Sequence, residues 1–113
     1  MITMDNVILV LCNVPDEAVG QAIATALVEQ RLAACVNLLP VVQSIYRWQG
    51  KVESASETTL LIKSAASRYP ELEQAISALH PYDVPEIICL PVNAGLPAYL
   101  QWVLAETRKP FDV

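Results

Sequence analysis

The stretch HPYDVPEI (80–87) holds the single histidine of the chain, His80, directly before a proline. Tyr82 and Glu86 follow in the same stretch, so an imidazole, a phenol and a carboxylate lie close together in sequence. Groups of these types transfer protons, coordinate metal ions or bind polar ligands. A histidine at the end of a helix is also commonly held by backbone carbonyls alone. The residues by themselves leave the chemical and the structural interpretation open.

The three cysteines, Cys12, Cys35 and Cys89, are widely spaced and odd in number. This pattern is typical of free thiols in a reducing compartment, and the apolar run near the N-terminus is too short for a signal peptide, so we expect a cytoplasmic protein. Imidazole and thiolate together suit copper and zinc. Cys12 ends the first predicted strand and is the thiolate that we expect to join His80. Because two ligands fall short of a full site, we expect weak metal binding.

Polar residues from separate segments are candidates for a second kind of site. Lys63, Tyr82 and Glu86, together with His80, are predicted to line one cleft at a subunit boundary. Trp48, near a predicted hairpin tip, is either an aromatic wall of that cleft or a residue of subunit packing. No nucleophile elbow, phosphate loop or dinucleotide fingerprint is present. The chain is therefore not predicted to be an enzyme, and catalysis in the cleft is kept only as a weaker alternative.

The composition limits the class of protein. The 113 residues predict a single domain, 1–113, of which 54% are hydrophobic and 17% charged. The net charge is −5 without a basic stripe, so no nucleic-acid partner is expected. No apolar run approaches the roughly 20 residues that span a bilayer, so no membrane partner is expected. The apolar excess instead predicts a partner subunit.

The elements that must position these residues follow from periodicity and from Gly and Pro signals. They are a strand at 7–12, a helix at 15–31, two extended arms at 34–48 and 51–64 around Gly50, a helix from Ser67 to Leu79, a strand at 86–92 and a helix at 95–108.

The order β-α-β-β-α-β with an extra C-terminal helix is that of an α+β, ferredoxin-like split βαβ fold. The second strand of that fold lies at a sheet edge, which fits Pro40, since proline tolerates only edges and bulges. The edge sequence CVNLLPVVQSIY (35–46) is long and apolar, and such an edge needs a covering partner. We therefore expect a closed homo-oligomer.

Four segments, RLAACVNLLP (31–40), SIYRWQGKVE (44–53), TLLIKS (59–64) and HPYDVPEI (80–87), occur in this order and spacing. In that combination the chain resembles the CutA divalent-cation-tolerance proteins, from Val7 to about Leu104. The resemblance implies a ferredoxin-like subunit in a homotrimer, similar in architecture to the PII signalling proteins. It also implies a cytoplasmic bacterial protein associated with tolerance of copper and other divalent cations.

The resemblance further implies a ligand set for copper, consisting of a cysteine at the end of the first strand and two adjacent histidines. The cysteine matches Cys12 and the second histidine matches His80, but Leu79 stands where the first histidine would be. We therefore expect Cu(II) or another divalent cation to bind weakly. The alternative is a PII-like trimeric signalling or scaffold module that binds a small ligand or a protein partner, of unknown identity, in clefts between subunits.

Overall fold

The structure, a computed structural model, describes residues 5–109, so the ends of the predicted domain, 1–4 and 110–113, lie outside the described residues. Its strands are β1 (Val7–Val14), β2 (Cys35–Trp48), β3 (Lys51–Ala65) and β4 (Ile87–Pro91), and its α-helices are α1 (Glu17–Glu29), α2 (Tyr69–Leu79) and α3 (Pro97–Glu106).

The strands form one sheet in the order β2-β3-β1-β4, and every neighbouring pair is antiparallel. The predicted α+β element order, including the extra C-terminal helix, is therefore confirmed. The homotrimer stays a prediction. The second predicted helix begins later than Ser67, because residues 66–68 form a 3-10 turn before α2.

Helix α1 is bounded by two local signals. The Asp16 side chain caps its start by accepting a hydrogen bond of 2.9 Å from the Val19 amide. Its end is marked by Arg31, whose φ of 59° lies in the left-handed region. The predicted helix at 15–31 is therefore shorter by two residues at each end in the structure.

The main core lies between the sheet and the pair α1 and α2. Strands β1 and β3 bury every second side chain toward these helices, as a sheet covered on one face requires. Helix α3 contacts β1 and β3 with Val103 fully buried, outside that core cluster. The core residues include Val10, Cys12, Val14, Ile23, Leu27, Leu60, Ile62, Leu72 and Ile76.

Strand β2 is an edge strand with an irregularity at Pro40. Its pairing with β3 shifts register between Leu39 and Val42, so the proline, which has no amide hydrogen to donate, falls in the bulge. The buried Thr58 hydroxyl donates a hydrogen bond of 3.0 Å to the Pro40 carbonyl. The prediction that Pro40 marks an edge strand or a bulge is confirmed on both counts.

Beyond β1, strands β2 and β3 continue as a two-stranded ribbon, residues 42–57. Only residues 58–65 of β3 pair with β1. The two ribbon strands therefore pair only with each other. The ribbon turns at Gln49 and Gly50, both with positive φ, and it exposes 75% of Ile45 and 67% of Val52. An isolated two-stranded hairpin is marginally stable in water, so this ribbon calls for further packing.

Replacing Thr58 by valine tests whether its hydroxyl holds the bulge. The variant keeps the side-chain shape but loses the hydrogen bond to the Pro40 carbonyl. We expect the free energy of unfolding to fall by about 1–2 kcal/mol in chemical denaturation. Thr58→Ser, which keeps the hydroxyl, is the control for that bond. If Thr58→Val proves as stable as the parent, the bulge does not depend on this hydrogen bond.

Candidate functional site

The His80 ring is buried and both of its nitrogens are engaged by the backbone. Its Nε2 lies 2.8 Å from the Asn13 carbonyl oxygen, and its Nδ1 accepts a hydrogen bond of 3.1 Å from the Tyr82 amide. Because a backbone N–H only donates, Nδ1 must be the acceptor and Nε2 must carry the hydrogen that Asn13 accepts. The imidazole therefore acts as a neutral bridge between two backbone groups.

The sequence places this bridge where three elements meet. Helix α2 ends at Leu79, since Pro81 disfavours helix in the residue before it, and the His80 amide closes the last turn by donating to Ile76 at 2.8 Å. The ladder between β1 and β4 ends at the pair Cys12 and Ile87. Beyond that pair, the Asn13 carbonyl oxygen accepts a hydrogen bond from the His80 ring. The predicted position of His80 at a helix end is confirmed.

The Cys12 side chain is fully buried in the main core. Its thiol donates a weak hydrogen bond of 3.9 Å to the Asn13 carbonyl oxygen. Burial, with smaller contributions from the nearby carboxylates of Glu86 and Glu57, raises the pKa of the Cys12 thiol to about 12. Since the thiolate is the form that binds metal, an incoming ion would first have to displace this proton.

Leu79 is half exposed beside His80, at the position where the resemblance implies a histidine. Within residues 5–109, no three His, Cys, Asp or Glu side chains are grouped so that they would hold a metal ion. Metal binding at Cys12 and His80 stays a prediction. On the geometry described, it requires a buried thiol to ionise and a ring nitrogen to leave a hydrogen bond.

A cleft of about 630 Å³ lies between the ribbon and the loop 81–86. Trp48, Tyr82 and Glu86 line it, so one chain brings together three of the five predicted cleft residues, while Lys63 and His80 are not among its lining residues. The other lining residues are Asn13, Ser44, Ile45, Tyr46, Glu57, Asp83 and Val84. The size is that of a small-molecule site.

Side-chain hydrogen bonds fix one side of this cleft. The Tyr82 hydroxyl donates to the Glu57 carboxylate at 2.9 Å, and burial together with that carboxylate raises the pKa of Tyr82 to about 12. The Asn13 amide donates to Glu86 at 3.3 Å, while the Thr59 hydroxyl donates to the Asn13 oxygen at 2.6 Å. Both carboxylates are thus positioned by neutral donors, the Tyr82 phenol and the Asn13 amide.

Lys63 is not among the residues that line this cleft. It is opposite Leu9 and Cys35 in the sheet, toward the C-terminal end of β3, and it bonds to the Asn37 side-chain oxygen. Its Nζ is 4.0 Å from the Cys35 sulfur. A single chain therefore does not bring Lys63 to the cleft, and its place in a cleft between subunits stays a prediction.

Sequence reasoning missed two residues that organise the cleft, Asn13 and Glu57. Asn13 joins the His80 ring through its carbonyl and Glu86 through its side chain. The signal available for Asn13 was a polar residue near the end of an apolar strand, VILVLCNV (7–14), where a half-buried amide needs partners.

The raised pKa of Cys12 predicts a loss of stability in alkali. The unfolded thiol loses its proton near pH 9, whereas the folded thiol keeps it to about pH 12, so folding favours the protonated form between these values. This stabilisation is complete below pH 9 and is lost as the pH rises through 12. Denaturation across this range should show the unfolding free energy falling less steeply for Cys12→Ala than for the parent.

The matched control for that measurement is Cys89→Ala, which removes an exposed thiol on β4. It should change the alkaline slope less than Cys12→Ala does. Equal slopes for the parent and Cys12→Ala would contradict the assignment of a buried, protonated thiol.

Comparison with known proteins gives a consistent family. A family model described as the CutA1 divalent ion tolerance protein matches residues 8–106. The divalent-cation tolerance protein CutA of Thermus thermophilus is 50% identical over 99 residues, which is 88% of this chain and 96% of that protein. Protein CutA of Mus musculus is 52% identical over 89 residues, or 79% of this chain, but this match spans only half of the mouse protein.

Solved structures agree with the fold. The Thermus thermophilus divalent cation tolerance protein superposes with a TM-score of 0.87, covering 93% of this chain and all of that chain. A protein named as the periplasmic divalent cation tolerance protein CutA of Archaeoglobus fulgidus is 30% identical, with a TM-score of 0.87 and the same shares covered. In the part of this chain that the structure describes, no helix has the length and hydrophobicity to cross a bilayer.

The matched residues run from β1 to the last residue of α3 and include the segments that build the His80 bridge and the cleft. The family match and the similarity to relatives over most of the chain lead to one conclusion: the chain belongs to the CutA1 family of divalent ion tolerance proteins.

Proposed function

We propose that this chain serves divalent-cation tolerance as a PII-like homotrimeric signalling or scaffold module, with a ligand or partner site in clefts between subunits. The observation that carries the proposal is the cleft lined by Trp48, Tyr82 and Glu86 beside the exposed ribbon. Its groups are held in place by hydrogen bonds, yet the cleft is open and large enough for a small molecule.

Two features of the surface support the assembly. The ribbon exposes Ile45 and Val52, and the neighbouring bulge exposes 70% of Val41. Strand β2 also presents a long, unpaired edge, which natural proteins cover to avoid uncontrolled pairing. A closed ring of subunits covers such edges in every copy at once, whereas an open arrangement leaves one exposed.

Weak binding of Cu(II) or another divalent cation at Cys12 and His80 is a second candidate function. It is favoured by the Asn13 carbonyl, which follows Cys12 in β1 and holds the His80 ring at 2.8 Å, so both groups lie at one end of β1. The names of the relatives support a link to divalent ions. The buried thiol and the engaged imidazole are the physical reasons for proposing weak rather than tight binding.

Two further parts of the proposal rest mainly on the sequence. The family is named for tolerance of ions rather than for a reaction, and we propose no catalytic role. We also propose a cytoplasmic location, because the three cysteines are free thiols. Cell fractionation with detection of this chain tests the location directly.

Light scattering or native mass spectrometry should find three copies of the purified chain at micromolar concentration. Val52→Asp places a charge on the exposed face of the ribbon and should shift the equilibrium toward monomer, since burying an unpaired charge is costly. Val28→Asp, on the exposed surface of α1, is the matched control and should stay trimeric. A stable monomeric parent at that concentration would contradict the predicted trimer.

Calorimetric titration with Cu(II) at pH 7.5 tests the metal site. Cys12→Ser and His80→Ala should each weaken binding, and Leu79→His should strengthen it by adding an exposed imidazole. Leu79→Gln, which adds a polar group without an imidazole, is the control for that gain. Equal binding by the parent and His80→Ala would remove His80 as a ligand and leave the ligand cleft as the better explanation.

A further inference from the structure

The cleft combines aromatic rings with negative charge. Tyr46 and Trp48 contribute from the ribbon, with Tyr82 from the facing loop. Carboxylates come from Glu57 and Glu86, and Asp83 adds a further one. No lysine, arginine or histidine is among the lining residues that the structure describes.

Within residues 5–109, no cationic side chain forms an ion pair with these carboxylates. Glu57 accepts from the neutral Tyr82 hydroxyl and Glu86 from the neutral Asn13 amide. The ion pairs found within residues 5–109 both involve Glu71, on α2 and outside the cleft. The cleft is therefore a concentrated negative site on a chain whose net charge is already −5.

We propose that the cleft binds an organic cation, specifically an ammonium group carried on a flat apolar body. The inference rests on the proposed ligand cleft and names the chemical class of its ligand. Carboxylates form their strongest hydrogen bonds with cationic donors, and aromatic faces attract a cation through the ring quadrupole. The rings of Tyr46 and Trp48 also offer surface on which an apolar body stacks.

Other ligand classes fit this cleft less well. An anion would meet three carboxylates and no cationic side chain among the lining residues that the structure describes. A bare divalent ion needs several oxygen, nitrogen or sulfur ligands, and the described residues offer no such group of three or more. The volume of about 630 Å³ also far exceeds that of one ion but lies within the range of small-molecule sites.

The test compares 2-phenylethylammonium with 2-phenylethanol, which has a similar shape but no charge. Ligand-observed NMR titrations of the full chain, at matched ionic strength, should show the ammonium binding about tenfold more tightly than the alcohol. Glu57→Gln and Glu86→Gln should each reduce ammonium binding severalfold and leave alcohol binding unchanged. Trp48→Ala should weaken both probes, because it removes a stacking surface.

The chain offers matched controls for these variants. Glu73 accepts a hydrogen bond of 3.1 Å from the Tyr69 hydroxyl outside the cleft, so Glu73→Gln repeats the change at Glu57 in a similar tyrosine–carboxylate pair. Trp102→Ala removes another exposed tryptophan, on α3. Neither control should alter binding of either probe, and thermal unfolding of each variant verifies that it is folded.

Equal affinity for the two probes, binding of neither, or binding that the cleft variants leave unchanged would each overturn the organic-cation assignment. Light scattering on the same samples separates this outcome from the trimer. A trimer that does not prefer the ammonium retains the proposed assembly and rejects the ligand class. A monomer that binds the ammonium through Glu57 and Glu86 retains the ligand class and rejects the assembly.

Discussion

The bridge that the His80 ring makes between the Asn13 carbonyl and the Tyr82 amide organises this end of the molecule. It ties together the end of β1, the end of α2 and the loop 81–86. Tyr82, placed by this loop, then reaches Glu57 on β3, and Asn13 reaches Glu86. Without the imidazole, the Asn13 carbonyl and the Tyr82 amide lose their partner, and one wall of the cleft loses its attachment to the sheet.

This structural role competes directly with metal coordination. A metal ligand must present a ring nitrogen with a free lone pair, yet Nδ1 already accepts from Tyr82 and Nε2 already donates to Asn13. The Cys12 thiol is likewise committed to the core, where burial holds its pKa at about 12. An ion can bind these groups only by giving back interactions that maintain the cleft. Within one chain, metal binding and an intact cleft therefore oppose each other.

The sequence predicted the fold well because its strongest signals are local. Pro40 and Pro81 marked an edge bulge and a helix end, and apolar periodicity defined the strands and helices. The cleft was predicted only in part, since it depends on strand register. Lys63 faces Leu9 whereas Thr59 faces Asn13, and this offset along β3 separates Lys63 from Tyr82. The residues next to a lysine in a β-strand do not indicate which residue of the neighbouring strand it will face.

Side chains alternate between the two faces of the ribbon, so this one element can serve both subunit packing and ligand binding. Ile45 pairs with Ser54 and Val52 pairs with Arg47, which places both aliphatic side chains on one face. Tyr46 and Trp48 lie at the alternate positions and line the cleft. The aliphatic face thus supplies apolar area for packing between subunits, with Ile45 also bordering the cleft, and the aromatic face supplies the rings for a ligand. Because both faces belong to the same two strands, packing that steadies one of them also steadies the other, so assembly and ligand binding are expected to be coupled.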